Sequence, residues 1–259
     1  MYQKLLKAAL PLPKLTDGEK YLFVAAHPDD IEVGAGGTVA KLVSLGKRVD
    51  IVVITDGGCG SKDLAIAKTG LAAIRKAEAI AAAEVLGVTK ISFLAYPDAG
   101  DYRAYDVAKA LATIMVELNP DFVLAPDPKL PSEIHPDHLK AGEALMTAVL
   151  FAGYPLVYQE NVGPVKPEHL SHFRFRNLGF FFTHRPNRYL TIDPSHREIQ
   201  KHAIICHESQ FPDPEELKQI LLYLKLRGRS FGSFGRRSKE GFFVLGKLHV
   251  HCYPEVNRY

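Results

Sequence analysis

The chain has 259 residues, of which 47% are hydrophobic and 24% charged, and its formal net charge is +3. This length and composition fit one soluble globular unit, so we expect residues 1–259 to form a single domain. Because the net charge is small, composition gives no reason to expect nucleic acid or an anionic membrane as a partner.

In chain order, short apolar runs alternate with helical patterns over roughly the first 150 residues. Strands are predicted at residues 21–26, 50–55, 90–94 and 122–125, and helices at residues 38–45, 71–86, 104–118 and after His135. This alternation predicts an α/β fold, in which helices cover both faces of a Rossmann-like parallel sheet. Ligands bind such sheets at the carboxyl ends of the strands, so the turns that follow these strands are the expected location of the chemistry.

The chain is less regular from residue 178 onward. Residues 180–183 and 189–192 are predicted as strands joined by a turn around Pro186, and residues 194–206 and 214–226 as helices. Residues 225–239 hold six basic residues together with aromatic ones, a composition that can bind single-stranded nucleic acid. Because the rest of the chain has no basic bias, we interpret this segment as a mobile basic loop instead.

The spacing of the cysteines and the lengths of the apolar runs indicate in which cellular compartment the protein is located. The three cysteines are far apart and form no C-x-x-C pair, which argues against a disulfide framework and favours a reducing environment. Prolines interrupt the N-terminal segment where a signal peptide would be apolar, and the apolar run at residues 144–158 is too short to span a bilayer. We therefore expect a cytoplasmic protein without a membrane partner.

Two polar clusters follow predicted strands. Residues 27–32 (HPDDIE) come directly after the first strand and residues 135–138 (HPDH) after the fourth. Polar groups at the end of a buried strand are costly unless something compensates them, and a divalent cation would do so. Two histidines and one carboxylate with an open position are typical of a catalytic zinc site, although the pattern does not decide which aspartate is the ligand. Either cluster alone could be a turn or a helix cap, but the pair favours a metal site.

The glycine-rich stretch at residues 34–37 (GAGG) is expected to precede a helix and to let the backbone approach a sugar or the metal loop. It is not a dinucleotide-binding fingerprint, because the third glycine of G-x-G-x-x-G would fall at Val39.

Several segments carry a resemblance to a known family. AHPDDIEVGAGGTVAKL followed by IHPDH resembles the LmbE-like, or PIG-L, family of zinc-dependent N-acetylglucosamine deacetylases, and AIRKAE resembles part of that family's second helix. The stretches APDPKLPSEIHPDH, FFFTHRPNRYLTID and HESQFPD resemble the diacetylchitobiose deacetylase branch in particular. The resemblance runs from about Tyr21 to near the C-terminus, and it implies the LmbE-like fold with one zinc ion per subunit.

The resemblance also implies roles for the clustered residues. His27, Asp30 and His138 would hold the zinc, and Asp29 would be the general base that takes a proton from water. His135 would be a second catalytic residue, whose protonated imidazole stabilises the oxyanion or protonates the leaving amine.

Four further residues match functional positions of the family. Arg75 and Asp98 would hold sugar hydroxyls, with a plain surface charge as the alternative for each. His251 would reach the pocket of a neighbouring subunit in a homo-oligomer, a hexamer by this resemblance, or it is a structural histidine. Asp137 would orient a histidine, or it is the N-cap of the helix that follows. His207 and Gln210 would lie near the pocket, and Glu32 receives no chemical role.

We therefore predict zinc-dependent hydrolysis of the acetamide of an N-acetylglucosaminyl substrate, such as diacetylchitobiose or a glycoconjugate, with release of acetate and a free amino sugar. One alternative is another LmbE-like hydrolase of amide conjugates. The other is a non-catalytic Rossmann-like module that binds a sugar or a nucleotide, for which two His-Pro-Asp segments have no purpose.

Overall fold

The computed structural model describes residues 2–231 and 237–251. Within these residues seven strands form one sheet in the order β3-β2-β1-β4-β5-β7-β6. The strands are β1 (Lys20–Ala25), β2 (Arg48–Thr55), β3 (Lys90–Tyr96), β4 (Phe122–Pro126), β5 (Asn177–Phe181), β6 (Arg188–Thr191) and β7 (Lys239–Leu245). The helices are α1 (Tyr2–Ala9), α2 (Asp30–Ser44), α3 (Lys68–Leu86), α4 (Ala104–Leu118), α5 (Pro136–Phe151), α6 (Pro155–Asn161), α7 (Pro194–Ile205) and α8 (Pro214–Ser230), with a 3₁₀ helix at Pro167–His172.

The first five strands are parallel, and all of them except the edge strand β3 are buried between two helical layers. Side chains of β1 alternate between two hydrophobic cores: Leu22 and Val24 pack with α4 and α5, whereas Tyr21 and Phe23 pack with α2, α3 and α7. Burial on both faces explains why these strands are continuous apolar runs in the sequence. The predicted α/β fold, with helices on both faces of a parallel sheet, is confirmed.

Helix α2 begins earlier than the sequence suggested. The prediction that the glycines at residues 34–37 precede a helix is wrong, because α2 starts at Asp30 and contains them. The reason is close packing: a Cβ atom on Gly34 would lie 2.5 Å from the Phe181 ring, and one on Gly37 would lie 2.7 Å from the Glu240 carboxylate. The glycines therefore let the helix approach β5 and β7, at the cost of their low helix propensity.

The two strands predicted on either side of Pro186 are observed as β5 and β6. The two strands on either side of Pro186 do not pair with each other, because β7 lies between them and pairs antiparallel with both. The interpretation of residues 225–239 as a loop is also wrong in part, since α8 continues to Ser230 and β7 begins at Lys239. Residues 232–236 lie outside the described residues.

In the described part of the chain, every helix is too short or too polar to cross a bilayer. The apolar run at residues 144–158 is divided between α5 and α6.

Candidate active site

The two polar clusters meet at the carboxyl edge of the sheet. Strands β1 and β4 are parallel neighbours, so the loop that carries His27 and the first turn of α5, which carries His138, come together. His27 Nδ1 lies 3.3 Å from His138 Nε2. Asp30 Oδ1, from the first residue of α2, lies 3.1 Å from His138 Nε2 and 4.0 Å from His27 Nδ1. One atom from each of these three side chains therefore converges on one point.

This triangle has the dimensions of a zinc site. Zinc binds imidazole nitrogen at about 2.0–2.1 Å, so tetrahedral ligand atoms lie about 3.3 Å apart. Two imidazole nitrogens at 3.3 Å also repel each other unless a proton or a cation lies between them. The donor set and its spacing therefore fit a divalent ion. Of the two groups of described residues that could hold a metal, one is His27, Asp30 and His138, and the other joins His27 with Asp98, His135 and Asp137.

The far side of the His27 ring is fixed by two buried carboxylates. His27 Nε2 lies 3.2 Å from Asp98 Oδ1 and 3.3 Å from Asp137 Oδ2. Asp137 is itself held by the backbone N–H of Ala99 and the hydroxyl of Tyr102, at 2.8 and 2.9 Å. A proton on Nε2 leaves Nδ1 free to face the metal position, as in many carboxylate–histidine–zinc arrangements.

These contacts decide between the two interpretations of Asp137. The N-cap of α5 is His135, whose Nδ1 accepts a hydrogen bond from the Asp137 backbone N–H. Asp137 is therefore not the N-cap residue. Its fully buried carboxylate lies 3.3 Å from His27 Nε2, as expected if Asp137 orients that histidine.

Glu133 supports the other histidine and was not singled out from the sequence. Its Oε2 lies 2.7 Å from His138 Nδ1, and its Oε1 accepts a hydrogen bond of 2.8 Å from the His135 backbone N–H. The sequence does place this carboxylate just before the second cluster, in SEIHPDH. The direction in which the Glu133 side chain points, however, depends on the loop conformation.

The carboxylates around the cluster favour positive charge. Burial lowers the pKa of His27, but hydrogen bonds to Asp137 and Asp98 outweigh it and raise that pKa to about 10. Burial also opposes charge on His138, yet Asp30 and Glu133 raise its pKa to about 9. Surroundings that stabilise an imidazolium this strongly also attract a metal cation.

Asp29 lies beside the cluster in a strained conformation. Its φ of 129° falls in the left-handed region, which is unusual for a residue with a side chain. Asp29 Oδ1 lies 3.2 Å from Arg75 Nη2. Burial raises the pKa of Asp29 to about 6, because it outweighs the opposing charge of Arg75. A raised pKa is what the predicted role of Asp29 as a general base requires, and that role stays a prediction.

Arg75 and Asp98 are not surface charges, since they are only 3% and 4% exposed. Besides Asp29, Arg75 contacts two backbone carbonyls, those of Gly57 at 3.0 Å and Pro28 at 2.8 Å. The structure therefore gives Arg75 a role in holding Asp29, and Asp98 a role beside His27. Their contacts with sugar hydroxyls remain predictions.

His135 packs edge-on against His27, with ring centroids 4.4 Å apart, and its side chain is 39% exposed. Because Nδ1 accepts a hydrogen bond from Asp137, the ring carries its proton on Nε2. Burial and the neighbouring His27 lower the pKa of His135. Nε2 is therefore available as a donor, and the protonated form that the resemblance implies for His135 stays a prediction.

The remaining predicted residues lie outside the cluster. His251 is exposed near the C-terminal limit of the described residues, and its role in a neighbouring pocket stays a prediction. His207 is fully buried with Nε2 3.5 Å from Glu32 Oε2, while Gln210 donates to the backbone carbonyl of Gly60. Glu32 therefore faces His207 and takes no place among the metal-facing atoms.

The chain is similar to several known proteins. The family model for PIG-L, GlcNAc-PI de-N-acetylase, matches residues 22–149. Diacetylchitobiose deacetylase of Thermococcus kodakarensis is 35% identical over 241 residues, which are 92% of this chain and 87% of that protein. A 1D-myo-inositol 2-acetamido-2-deoxy-alpha-D-glucopyranoside deacetylase of Kineococcus radiotolerans is 30% identical over 54% of this chain and 47% of its own length.

A solved structure shares the whole fold. It is N,N'-diacetylchitobiose deacetylase from Pyrococcus horikoshii in complex with its inhibitor MPG, with a TM-score of 0.84 and 33% sequence identity. The match covers 100% of this chain and 96% of that one. On these similarities, the chain belongs to the PIG-L family of de-N-acetylases.

Proposed function

We propose that this protein is a zinc-dependent N-deacetylase that hydrolyses the acetamide of an N-acetylglucosaminyl saccharide such as diacetylchitobiose. The observation that carries the proposal is the convergence of His27, Asp30 and His138 on one point, with Asp29 and His135 beside it. The names of the relatives support the choice of an acetylated amino sugar as substrate. A module that only binds a sugar or a nucleotide would not need this convergence.

When bound, zinc would supply Lewis-acid chemistry, which polarises the amide carbonyl and brings the pKa of water toward about 7. The chain's own residues handle the protons. Asp29 takes one proton from the attacking water, whose oxygen forms a bond to the acetamide carbon. His135 donates from Nε2 toward the oxyanion of the tetrahedral intermediate. Asp29 then passes its proton to the amine as the C–N bond breaks, leaving acetate and a free amino sugar.

Arg75 contributes by holding the base in place. Its guanidinium contacts Asp29 Oδ1 and the carbonyl of Pro28, so it fixes both the side chain and the backbone next to the strained residue. Asp98 and Asp137 keep the His27 ring in one orientation by accepting from Nε2. This network limits the movement of the groups that act on the substrate.

The resemblance to diacetylchitobiose deacetylases also supports a homo-oligomer in which His251 reaches a neighbouring subunit. Light scattering of the purified protein and of a His251→Ala variant tests the assembly. Acetate-release assays of the two proteins in parallel test the contribution of His251 to the pocket of a neighbouring subunit. Cys59 and Cys206 are both free thiols, which agrees with a cytoplasmic location.

The direct test is acetate release by purified protein from N-acetylglucosamine, diacetylchitobiose and a panel of other N-acetyl sugars. We expect about one zinc per chain by elemental analysis, acetate release that stops on chelation, and recovery when zinc is returned. Metal-loaded protein that releases acetate from none of these sugars would refute the proposal.

A further inference from the structure

A cavity of about 590 Å³ opens next to the candidate zinc site. Glu133 and His138 form part of its lining, and the helix α8 forms another part of the wall. Its volume falls within the range of about 300–1,000 Å³ that is typical of small-molecule sites. Its lining includes His138 but neither Arg75 nor Asp98.

One face of α8 supplies the polar and aromatic groups of this wall. Tyr223, Arg227 and the C-cap Phe231 are spaced four residues apart, so they form a stripe along the helix, and all three line the cavity. The helix comes close to the rest of the protein at Gly228, where an added Cβ atom would collide with the Ser238 hydroxyl. This close approach packs α8 against the segment that leads into β7.

Phe182 lies next to His138 and lines the same cavity as the stripe. Its ring centroid is 6.1 Å from that of His138, and the residue lines the same cavity. Its φ of 53° is in the left-handed region, which is costly for a bulky side chain. Such strain persists where the surrounding structure enforces it and is common at ligand-binding positions. The fold thus holds an aromatic ring at the edge of the catalytic cluster.

These groups match the chemistry of a pyranose ring. The C–H bonds on one face of a sugar ring carry a small positive charge that the negative face of an aromatic ring attracts, while its hydroxyls need donors and acceptors. Arg227 offers a planar set of donors, and its orientation is fixed by the Tyr223 hydroxyl at 3.2 Å and the Thr183 carbonyl at 3.4 Å. Aromatic rings around a fixed guanidinium therefore offer both kinds of contact that a pyranose ring needs.

We propose that this cavity is the subsite for the second sugar ring of a saccharide whose first ring carries the acetamide under attack. The inference rests on the proposed function and extends it, because it assigns α8 and Phe182 the recognition of a disaccharide over a monosaccharide. The reacting ring lies at Asp29, and the second ring extends past His138 toward Tyr223 and Arg227.

The test compares two substrates in each variant. We measure kcat/KM for diacetylchitobiose and for N-acetylglucosamine in the zinc-loaded protein and take their ratio as the disaccharide preference. Arg227→Met should lower this preference about 10-fold, because a hydrogen bond from a charged donor is lost. Tyr223→Ala should lower it about 2- to 10-fold through loss of stacking. In both variants we expect the change mainly as a higher KM for the disaccharide.

Arg229→Met is the matched control, because Arg229 is exposed on the same helix and lines a different cavity. It should leave the preference unchanged. Equal losses on both substrates in Arg227→Met and Tyr223→Ala, or no change in either variant, would overturn the subsite while leaving the deacetylase activity established. Wild-type protein that hydrolyses neither sugar would refute the proposed function, and the subsite with it.

Discussion

At the scale of single residues, the two neighbouring carboxylates at the start of α2 have opposite environments. Asp30 accepts hydrogen bonds from the backbone N–H groups of Ala26 and His27, at 2.7 and 2.9 Å. Although burial opposes it, the charge and hydrogen bond of His138 hold the pKa of Asp30 well below its usual range. Burial instead raises the pKa of Asp29. Two carboxyl groups whose pKa values are shifted in opposite directions are suited to separate roles. Here these would be a permanent anion that binds a metal and a base that exchanges protons.

Replacing Asp29 by Asn tests the second of these roles. The amide has nearly the same shape but cannot accept a proton, so kcat should fall by about 10²–10⁴-fold. Zinc content should stay at the wild-type level, because Asp29 is not one of the metal-facing residues. Acetate release and elemental analysis measure the two quantities. Asp106→Asn on α4 is the control, and an Asp29→Asn protein that keeps its turnover would exclude Asp29 as the base.

Glu133 leads to a prediction about metal affinity. Its carboxylate accepts from His138 Nδ1 and thereby directs Nε2 toward Asp30. Glu133→Gln should weaken zinc binding by about 10–100-fold, the usual effect of losing a group that orients a ligand. Competition with a chromophoric chelator measures the affinity without any assay of activity. Glu143→Gln, on the exposed face of α5, should bind zinc like the wild type. Equal affinities in all three proteins would contradict this role.

At the scale of elements, one buried arginine joins the helices behind the site. Arg176 is only 1% exposed and precedes β5. Its guanidinium donates to the carbonyls of Met115, near the end of α4, and of Ala152, the C-cap of α5. It also donates to the carbonyls of Arg174 and His172. A cation is favourable at helix C-termini, where carbonyl groups lack partners inside the helix. Arg176 therefore fixes the end of α5 opposite the end that carries His138.

Replacing Arg176 by Met should be strongly destabilising. The methionine fills part of the volume but leaves several buried carbonyls without donors, so the free energy of unfolding should fall by about 3 kcal/mol or more. Urea unfolding followed by circular dichroism measures it. Arg174→Ala, which breaks a partly exposed ion pair with Asp121, should cost about 1 kcal/mol or less. A loss in Arg176→Met as small as the one expected for Arg174→Ala would show that the buried network does not stabilise the fold.

The elements differ in how far the sequence predicts them. The strand predicted at residues 21–26 is observed at Lys20–Ala25, and the helix predicted at residues 104–118 is observed as α4, because local apolar patterns determine both. Strand β7 was missed, since its place between β5 and β6 depends on pairing with distant segments. For the site, the motifs brought His27, Asp30 and His138 to attention. The contacts of Glu133 depend on a loop conformation that no spacing rule describes.

At the scale of the whole molecule, the candidate metal site connects the two helical layers. Helix α2, which begins with Asp30, packs in the core on one face of the sheet, and α5, which carries His138, packs in the core on the other. The two cores are separated by the sheet, and the side chains of the two helices meet at its carboxyl edge. An ion held by Asp30 and His138 therefore links elements that the hydrophobic cores stabilise separately.

This arrangement predicts that zinc stabilises the folded protein as a whole. An ion that binds only the native state adds about 2.7 kcal/mol at a free concentration of 100 times its Kd. For a chain of this size, that gain corresponds to a Tm about 5–10 °C higher than in the presence of a chelator. Thermal unfolding at fixed protein concentration, with chelator or with buffered zinc, measures the shift.

In His138→Ala the site keeps two of its three ligands, so the shift should be largely lost. A shift as large in this variant as in the wild type would place the stabilising ion elsewhere, and no shift in the wild type would mean that these residues do not hold zinc in the native state.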